Sequence, residues 1–271
     1  MPVKKVTQAP FIQSLDRGLS ILQTVATSKH PVSLGELAEL LGVDRSSAFR
    51  LAQTLRRRGF LSTPAGRKDY VLGPSMWTLP QQYDWSNALV RVARADLKEL
   101  ARSINETAHL AVREGKNALF VDSAHASHVI AVSGRSGEMV PLYCTAHGKA
   151  LLADMDLREM HAIFGPARLK KFTKTTIGSI TALAEECLAI RKRGYATDEA
   201  EYSEDIRCVA APIRLHNGMI VGSIGISAPA SRFLKEQYPA HAKRVLNVAR
   251  NIGQLLSAAD ERVDRAAPIS A

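Results

Sequence analysis

Cysteine is scarce in this chain: three residues in 271, at Cys144, Cys187 and Cys208. An odd count with no C-x-x-C spacing excludes a disulfide framework and a standard zinc site. It fits a reducing compartment, so a cytoplasmic location is expected. Long apolar runs are missing too. No stretch approaches the roughly 18 or more residues that a membrane span needs, so no membrane partner is expected. The segment MPVKKVTQAPFIQSLDRG has lysines but no apolar run behind them, unlike a secretory signal. What remains is an ordinary globular balance, 46% hydrophobic and 23% charged, which excludes general disorder. The length exceeds one average domain and favours two.

Charge is unevenly placed. The chain carries 36 Lys+Arg against 26 Asp+Glu, a formal +10. Residues 1–73 hold 11 basic and 5 acidic side chains, whereas residues 74–271 hold 25 and 21. More than half of the excess therefore sits in the first quarter of the chain. A small nucleic-acid-binding module joined to a near-balanced domain has this asymmetry. A solvated basic face would show the same total, so the pattern must decide.

Ser14 to Thr27 has apolar residues at helical spacing, Leu15, Leu19, Leu22 and Val25 or Ala26. His30-Pro31 ends that helix. Ser33-Leu34-Gly35-Glu36 is a capping box and opens a second helix with Leu34, Leu37, Leu40 and Leu41 as its stripe. Gly42-Val43 makes a tight turn, Asp44 caps a third helix, Arg45–Arg58, and Gly59 stops it. Two helices across a glycine turn form a helix-turn-helix. On the third helix Ala48, Leu51, Ala52 and Leu55 face inward. Ser46, Arg50, Gln53 and Arg57 face outward, with no acidic residue after Asp44. Such side chains donate to phosphates and base edges. Phe60-Leu61-Ser62 and Tyr70-Val71-Leu72 read as short strands around a basic turn. That makes a wing, whose Arg67 and Lys68 would lie along the DNA backbone or minor groove.

The segments QSLDRGLSILQTVA, VSLGELAELLGVDRSSAFRLAQTLRRRGFLS and YVLG closely resemble the N-terminal domain of the IclR family of bacterial transcriptional regulators. The resemblance makes Arg45–Arg58 the recognition helix, with Ser46, Ser47 and Arg50 on DNA. The full expected DNA-binding set is Arg45, Ser46, Ser47, Arg50, Gln53, Arg57, Arg67 and Lys68.

Met76 to Arg102 reads as helix with a break near Pro80. Ser86 can cap its second part, and Leu89, Val92 or Ala93, Leu97 and Leu100 form a stripe. A helical connector and a packed core helix both fit. From Thr107 strands dominate. His109–Arg113 and Ala118–Asp122 flank Glu114-Gly115-Lys116-Asn117, a hairpin signal. Val129–Ser133 and Glu138–Leu142 follow as strands, then helices over Thr145–Asp154, Leu157–Phe164 and Thr181–Arg193. Ile206–Leu215 and Met219–Ser227 flank His216-Asn217-Gly218. A long helix over Arg232–Ala259 closes a sheet domain with helices against one face. VPLYCTAHGKALLA, GYATDEAEYSEDIRCVAAPIRLHNGMIVGSIGISAPASRF and the final helix resemble the IclR effector-binding domain, a relative of GAF-type sensors. Asp205 stands where that family usually has glycine.

The fold expected is α+β: a winged helix-turn-helix over residues 11–73, a helical connector and dimerisation region over 74–103, and a GAF-like α/β effector-binding domain over 88–260. The resemblance implies a small-molecule pocket. Thr145, Ala146, His147, Gly148 and Lys149 lie at a helix start, where free N–H groups suit a carboxylate. Asp198, Cys208, Gly225 and Ser227 match the family's pocket positions, and Met139, Leu142 and Tyr143 offer an apolar wall. Asp198 would repel a carboxylate beside it and favour a hydroxyl or an amine. A carboxylate at Thr145–Lys149 and a hydroxyl toward Asp198 describe a bifunctional acid. Cys144 with His147, and His125 with His128, invite catalytic or metal readings, but neither has a complete site. The expected function is a ligand-responsive DNA-binding regulator, a repressor of a catabolic operon released by a small carboxylic or hydroxy-aromatic acid. No enzyme activity, cofactor or metal is expected. The expected partners are double-stranded operator DNA, the effector and a second copy, as a homodimer or a dimer of dimers. An activator of the same family, or a small-acid enzyme with a basic appendage, is the alternative.

Overall fold

The computed structural model describes residues 12–79, 84–125, 128, 132, 134–166 and 168–266. The chain divides into two compact units, Met1–Asp84 and Trp85–Ala271. Among the described residues no helix is long and apolar enough to cross a membrane.

The first unit runs α1 (Gln13–Thr27), α2 (Leu34–Leu41), α3 (Arg45–Arg57), β1 (Leu61–Ser62), β2 (Val71–Leu72) and α4 (Ser75–Thr78). Local chemistry sets each boundary. The Ser33 hydroxyl accepts from the Glu36 N–H, and the Glu36 carboxylate accepts from the Ser33 N–H at 2.7 Å. Gly42 ends α2 in the left-handed region at φ 59. Asp44 accepts from both the N–H and the hydroxyl of Ser47 at the start of α3. β1 pairs antiparallel with β2, and Val32 bridges Tyr70 beside them. Ile21, Val32, Leu37, Ala52, Leu61 and Tyr70 form the core. The wing closes on Gly73, because a Cβ there would lie 2.2 Å from the Gly59 carbonyl. The buried stripe of α1 is Gly18, Ile21 and Val25; of the expected residues Val25 is buried and Leu22 packs partly against the core. Leu15 and Leu19 are 61% and 53% exposed, since they lie off that face.

The second unit contains α5 (Asp84–Ile104), β3 (Thr107–Glu114), β4 (Asn117–Ala124), β5 (Met139–Pro141), α6 (Ala146–Leu151), α7 (Leu157–Phe164), α8 (Ile180–Arg193), β6 (Ala196–Glu199), β7 (Ile206–Arg214), β8 (Ile220–Pro229) and α9 (Tyr238–Ala266). The strands form one antiparallel sheet in the order β5-β4-β3-β8-β7-β6. Alternation splits its side chains between two faces. Leu110, Val112, Val209, Ala211, Ile213, Ile224 and Ile226 pack under α5 and α9. Ala111, Phe120, Cys208 and Ala210 pack on the other side with α6, α7 and α8. Helices therefore cover both faces, which corrects the expectation of one. Alternate residues of β7 and β8 are apolar or small on both sides, so neither face can be left in water. Leu89, Ala93, Leu97 and Leu100 of α5 belong to the core.

Other differences are local. β6 escapes sequence reading because Ala-Thr-Asp-Glu lacks an apolar alternation. α9 begins at Tyr238, after a 3-10 turn over Lys235–Gln237, with Pro239 in its first turn where no N–H is needed. The expected strand Val129–Ser133, the break at Pro80 and the Ser86 cap fall outside the described residues or side chains.

Gly253 lets α9 touch β7. A Cβ there would lie 2.1 Å from the Arg214 carbonyl, a backbone atom. Glycine to alanine inside an exposed helix stabilises by roughly 0.8–1 kcal/mol. Here the sign inverts: Gly253→Ala should cost about 1–3 kcal/mol through overpacking. A melting temperature equal to or above wild type by calorimetry would contradict this close approach.

Candidate functional site

The outer face of α3 is basic and partly apolar. Arg45, Ser46, Arg50 and Arg57 are exposed, and Gln53 is half-buried beside them. Ser47 is engaged differently: its hydroxyl donates to Asp44 at 2.7 Å and its N–H at 2.9 Å. Those bonds, with Ser46 adding to them, hold the Asp44 carboxyl well below its usual range. Ser47 therefore serves the cap. Arg67 and Lys68 are exposed on the wing, where the Arg67 N–H donates to the Pro64 carbonyl and Gly66 has φ 74. Phe49, absent from the expected set, is 46% exposed on the same helix.

In the second unit a cavity of about 380 Å³ opens on the sheet face carrying α6. Register explains its floor. Asp198 pairs with Cys208 and Cys208 with Ser227, so three adjacent strands present one polar row. The Cys208 thiol donates to the Ser227 hydroxyl at 3.1 Å. Beside the row stand His109, Phe120 and His147. The His109 and Phe120 rings stack at 4.4 Å, and His147 meets both edge-on. Burial lowers both imidazoles to about 3, so each is neutral near pH 7. His109 Nδ1 contacts the Ser123 hydroxyl and His147 Nδ1 the Ser223 hydroxyl. Val132, Val140, Ile206 and Pro229 supply apolar wall, and Glu138, Tyr202, Ser203 and Asp205 form the exposed or half-buried rim. No Lys or Arg occurs among the described lining residues.

A buried ion pair stands behind Asp198. Lys149 is 1% exposed, and its ammonium donates to Glu201 Oε1 at 2.5 Å with Glu186 at 3.7 Å. The Glu201 N–H donates to Asp198 Oδ1 at 2.7 Å. Ala200 has φ 60, costly for a residue with a Cβ. The Thr173 and Thr175 hydroxyls both donate to its carbonyl at 2.7 Å, and Thr176 donates to the Glu201 carbonyl. Desolvation raises Asp198 to about 7, opposed by the hydrogen bond from the Glu201 N–H, while the Glu201 carboxylate charge adds a smaller upward push. Burial pushes Cys144 up to about 12, so it is a thiol and no nucleophile at neutral pH.

The structure sorts the expected pocket residues. Thr145, Ala146, His147, Asp198, Cys208 and Ser227 line the cavity. Four do not. Met139 is 56% exposed because Val140, one position along β5, takes the inward side. Leu142 lies in the core, and Tyr143, also expected as wall, donates its hydroxyl to the Lys170 carbonyl. Gly148 serves packing: its N–H donates to Thr145, and a Cβ would lie 2.2 Å from the Leu142 carbonyl. Gly225 is likewise crowded, with a Cβ 2.4 Å from the Val209 carbonyl. Sequence reading missed His109 and Phe120, which sit on alternating strands with nothing local to mark them. It also missed the Lys149 pair, for which a lysine inside Ala-His-Gly-Lys-Ala-Leu-Leu was the available signal.

Comparison with known proteins places these units. Residues 14–64 match the IclR helix-turn-helix domain, and residues 81–254 match the bacterial transcriptional regulator IclR C-terminal domain. The transcriptional repressor IclR of Escherichia coli K12 is 28% identical over 243 residues, 89% of each chain. The crystal structure of Thermotoga maritima IclR superposes with TM-score 0.76 at 28% identity, covering 91% of this chain and all of that one. An IclR homolog from Microbacterium hydrocarbonoxydans, TM-score 0.74 over 91% of this chain and 99% of that one, shares the fold at 18% identity. These families and relatives are regulators, not enzymes.

The Asp198 shift has a stability consequence. Its folded value, about 7, stands above the unfolded 3.8. The folded chain then keeps a proton that the unfolded chain loses. The stability from this group is full below the unfolded value and is lost as pH rises through about 7. Asp198→Asn keeps an acceptor for the Glu201 N–H and removes that dependence. The variant should gain on wild type in melting temperature as pH rises from about 4 to about 8. A deficit that does not vary with pH would contradict a carboxyl held near neutrality.

Proposed function

Because the chain belongs to the IclR family of bacterial transcriptional regulators, we propose that it represses a catabolic operon and releases its operator when a small carboxylic or hydroxy-aromatic acid fills the cavity. The observation that carries this reading is a cavity of about 380 Å³, floored by the polar row Asp198, Cys208 and Ser227, in a different unit from the basic winged face. That volume suits a small ligand. The Microbacterium hydrocarbonoxydans homolog is complexed with 4-hydroxybenzoate, which favours a hydroxy-aromatic acid here as well. In this reading the carboxylate lies against Thr145, Ala146 and His147, and the hydroxyl faces Asp198. Asp198, titrating near neutrality, can accept or donate. Cys208 and Ser227 complete the polar row.

The DNA end works by division of labour. Ser46, Arg50 and Gln53 meet base edges, and Arg45, Arg57, Arg67 and Lys68 meet phosphates. A homodimer presents two recognition helices to successive major grooves, so the operator is roughly palindromic. The exposed apolar strip of Ile12, just before α1, with Leu15 and Leu19 on it, gives the protomers a surface to share. Effector binding alters the spacing of the winged units by a coupling of about 1–3 kcal/mol, roughly 5–150-fold in operator affinity.

Two measurements test this. In gel shifts across salt concentrations, Arg50→Ala should cost about 1–3 kcal/mol of specific binding and spare non-specific binding. Arg67→Ala and Lys68→Ala should each weaken both and reduce the salt slope by about 1. Equal losses for all three would end the division of labour. In a thermal-shift screen, small hydroxy-aromatic and carboxylic acids should raise the melting temperature of wild type more than of Asp198→Ala. Equal shifts would remove Asp198 from the contact.

A further inference from the structure

Among the described residues, Phe49 is not part of the core of the winged unit. On α3 the inward side is Ala48 and Ala52 with Leu51 and Leu55 half-buried, and these join the core of the winged unit. Phe49 is outside that core and 46% exposed. At 100° per residue it shares the outward face with Arg45, Ser46 and Gln53, one turn after the first and one turn before the last. Arg50, Arg56 and Arg57 are also exposed, and no acidic residue follows Asp44 on the helix. A scattered surface hydrophobe needs no explanation. A large aromatic ring in the middle of an arginine-flanked helix face is a different case. The flanking cations fit a polyanion, and the major groove of DNA offers one apolar base-edge feature, the C5-methyl of thymine.

We infer that Phe49 reads a thymine methyl in each half-site, adding an apolar specificity contact to the polar ones. The inference rests on the DNA-binding reading above. It makes the operator depend on a group that forms no hydrogen bond and carries no charge. Deoxyuridine pairs as thymine does and lacks only that methyl.

The experiment uses the full chain. A duplex is first enriched from a random pool. Each symmetric pair of thymines is then replaced by deoxyuridine, and affinities are measured for wild type, Phe49→Ala and Phe49→Leu. A buried hydrocarbon group contributes about 0.8 kcal/mol, so one pair should weaken wild-type binding roughly fourfold per half-site. Phe49→Ala should bind the thymine duplex less well and show no preference for thymine over uracil at that pair. Phe49→Leu should keep part of the preference. The salt slope should be unchanged in both, because no phosphate contact is removed. The inference is overturned if wild type is indifferent to every replacement, or if Phe49→Ala keeps the wild-type preference. It is also overturned if the loss in Phe49→Ala accompanies a changed association state by light scattering. If no duplex is enriched, the DNA-binding reading and this inference fall together.

Discussion

A lysine charge without access to water governs the second unit. Lys149 sits on α6 among alanine and leucine, and a buried ammonium requires an opposing charge. Glu201 supplies it, so the turn carrying Glu201 must come to α6. That turn holds Ala200 at positive φ, and threonine hydroxyls from a separate segment fasten it. The same turn aims the Glu201 N–H at Asp198 and sets Tyr202 and Ser203 on the cavity rim. A buried ion pair is weak evidence for stability, because desolvation offsets its Coulomb attraction. Its effect here is geometric. Losing either partner strands a buried charge, at about 3–5 kcal/mol, so one arrangement of α6, the turn and β6 is strongly preferred.

The two units apply opposite electrostatics. On α3 the acidic residue is spent locally: Asp44 caps the helix, and the outward side chains beyond it are neutral or basic. A face of that charge attracts a polyanion from a distance. The cavity has no cation among its described lining residues, and its histidines are kept neutral by burial. Charge there is held behind the wall, in Lys149 and Glu201. The cavity therefore offers hydrogen bonding and shape, whereas the winged face offers charge.

Legibility tracked how local the governing interaction is. The capping box at Ser33 and Glu36, the Asp44 cap and the left-handed Gly42 join residues at most four apart, and each was readable. The polar row was partly readable, through the resemblance of Asp198, Cys208 and Ser227 to family positions. None of the expected wall residues Met139, Leu142 and Tyr143 lines the cavity, and Met139 misses by one position. Met139 and Val140 are adjacent and both apolar, and only the pairing of β5 with β4 decides which points inward. Leucines on α1 were misplaced for the same reason: several apolar stripes were possible, and packing selected Gly18, Ile21 and Val25. Glycines 148 and 225, expected at the pocket, each make room for protein backbone instead.

By itself the sequence determined the helix starts and stops of the winged unit, the concentration of charge on it and the existence of a second, sheet-built unit. These follow from backbone capping, left-handed glycine and side-chain periodicity, which act within a turn or a strand. Only the tertiary structure decided that helices cover both faces of the sheet, that His109, Phe120 and His147 form one aromatic wall, and that Lys149 meets Glu201 fifty-two positions away. Those contacts depend on strand register and on how closely backbones approach. A one-residue slip exchanges the two faces of a strand, and nothing in a short stretch of sequence records which register closes the core.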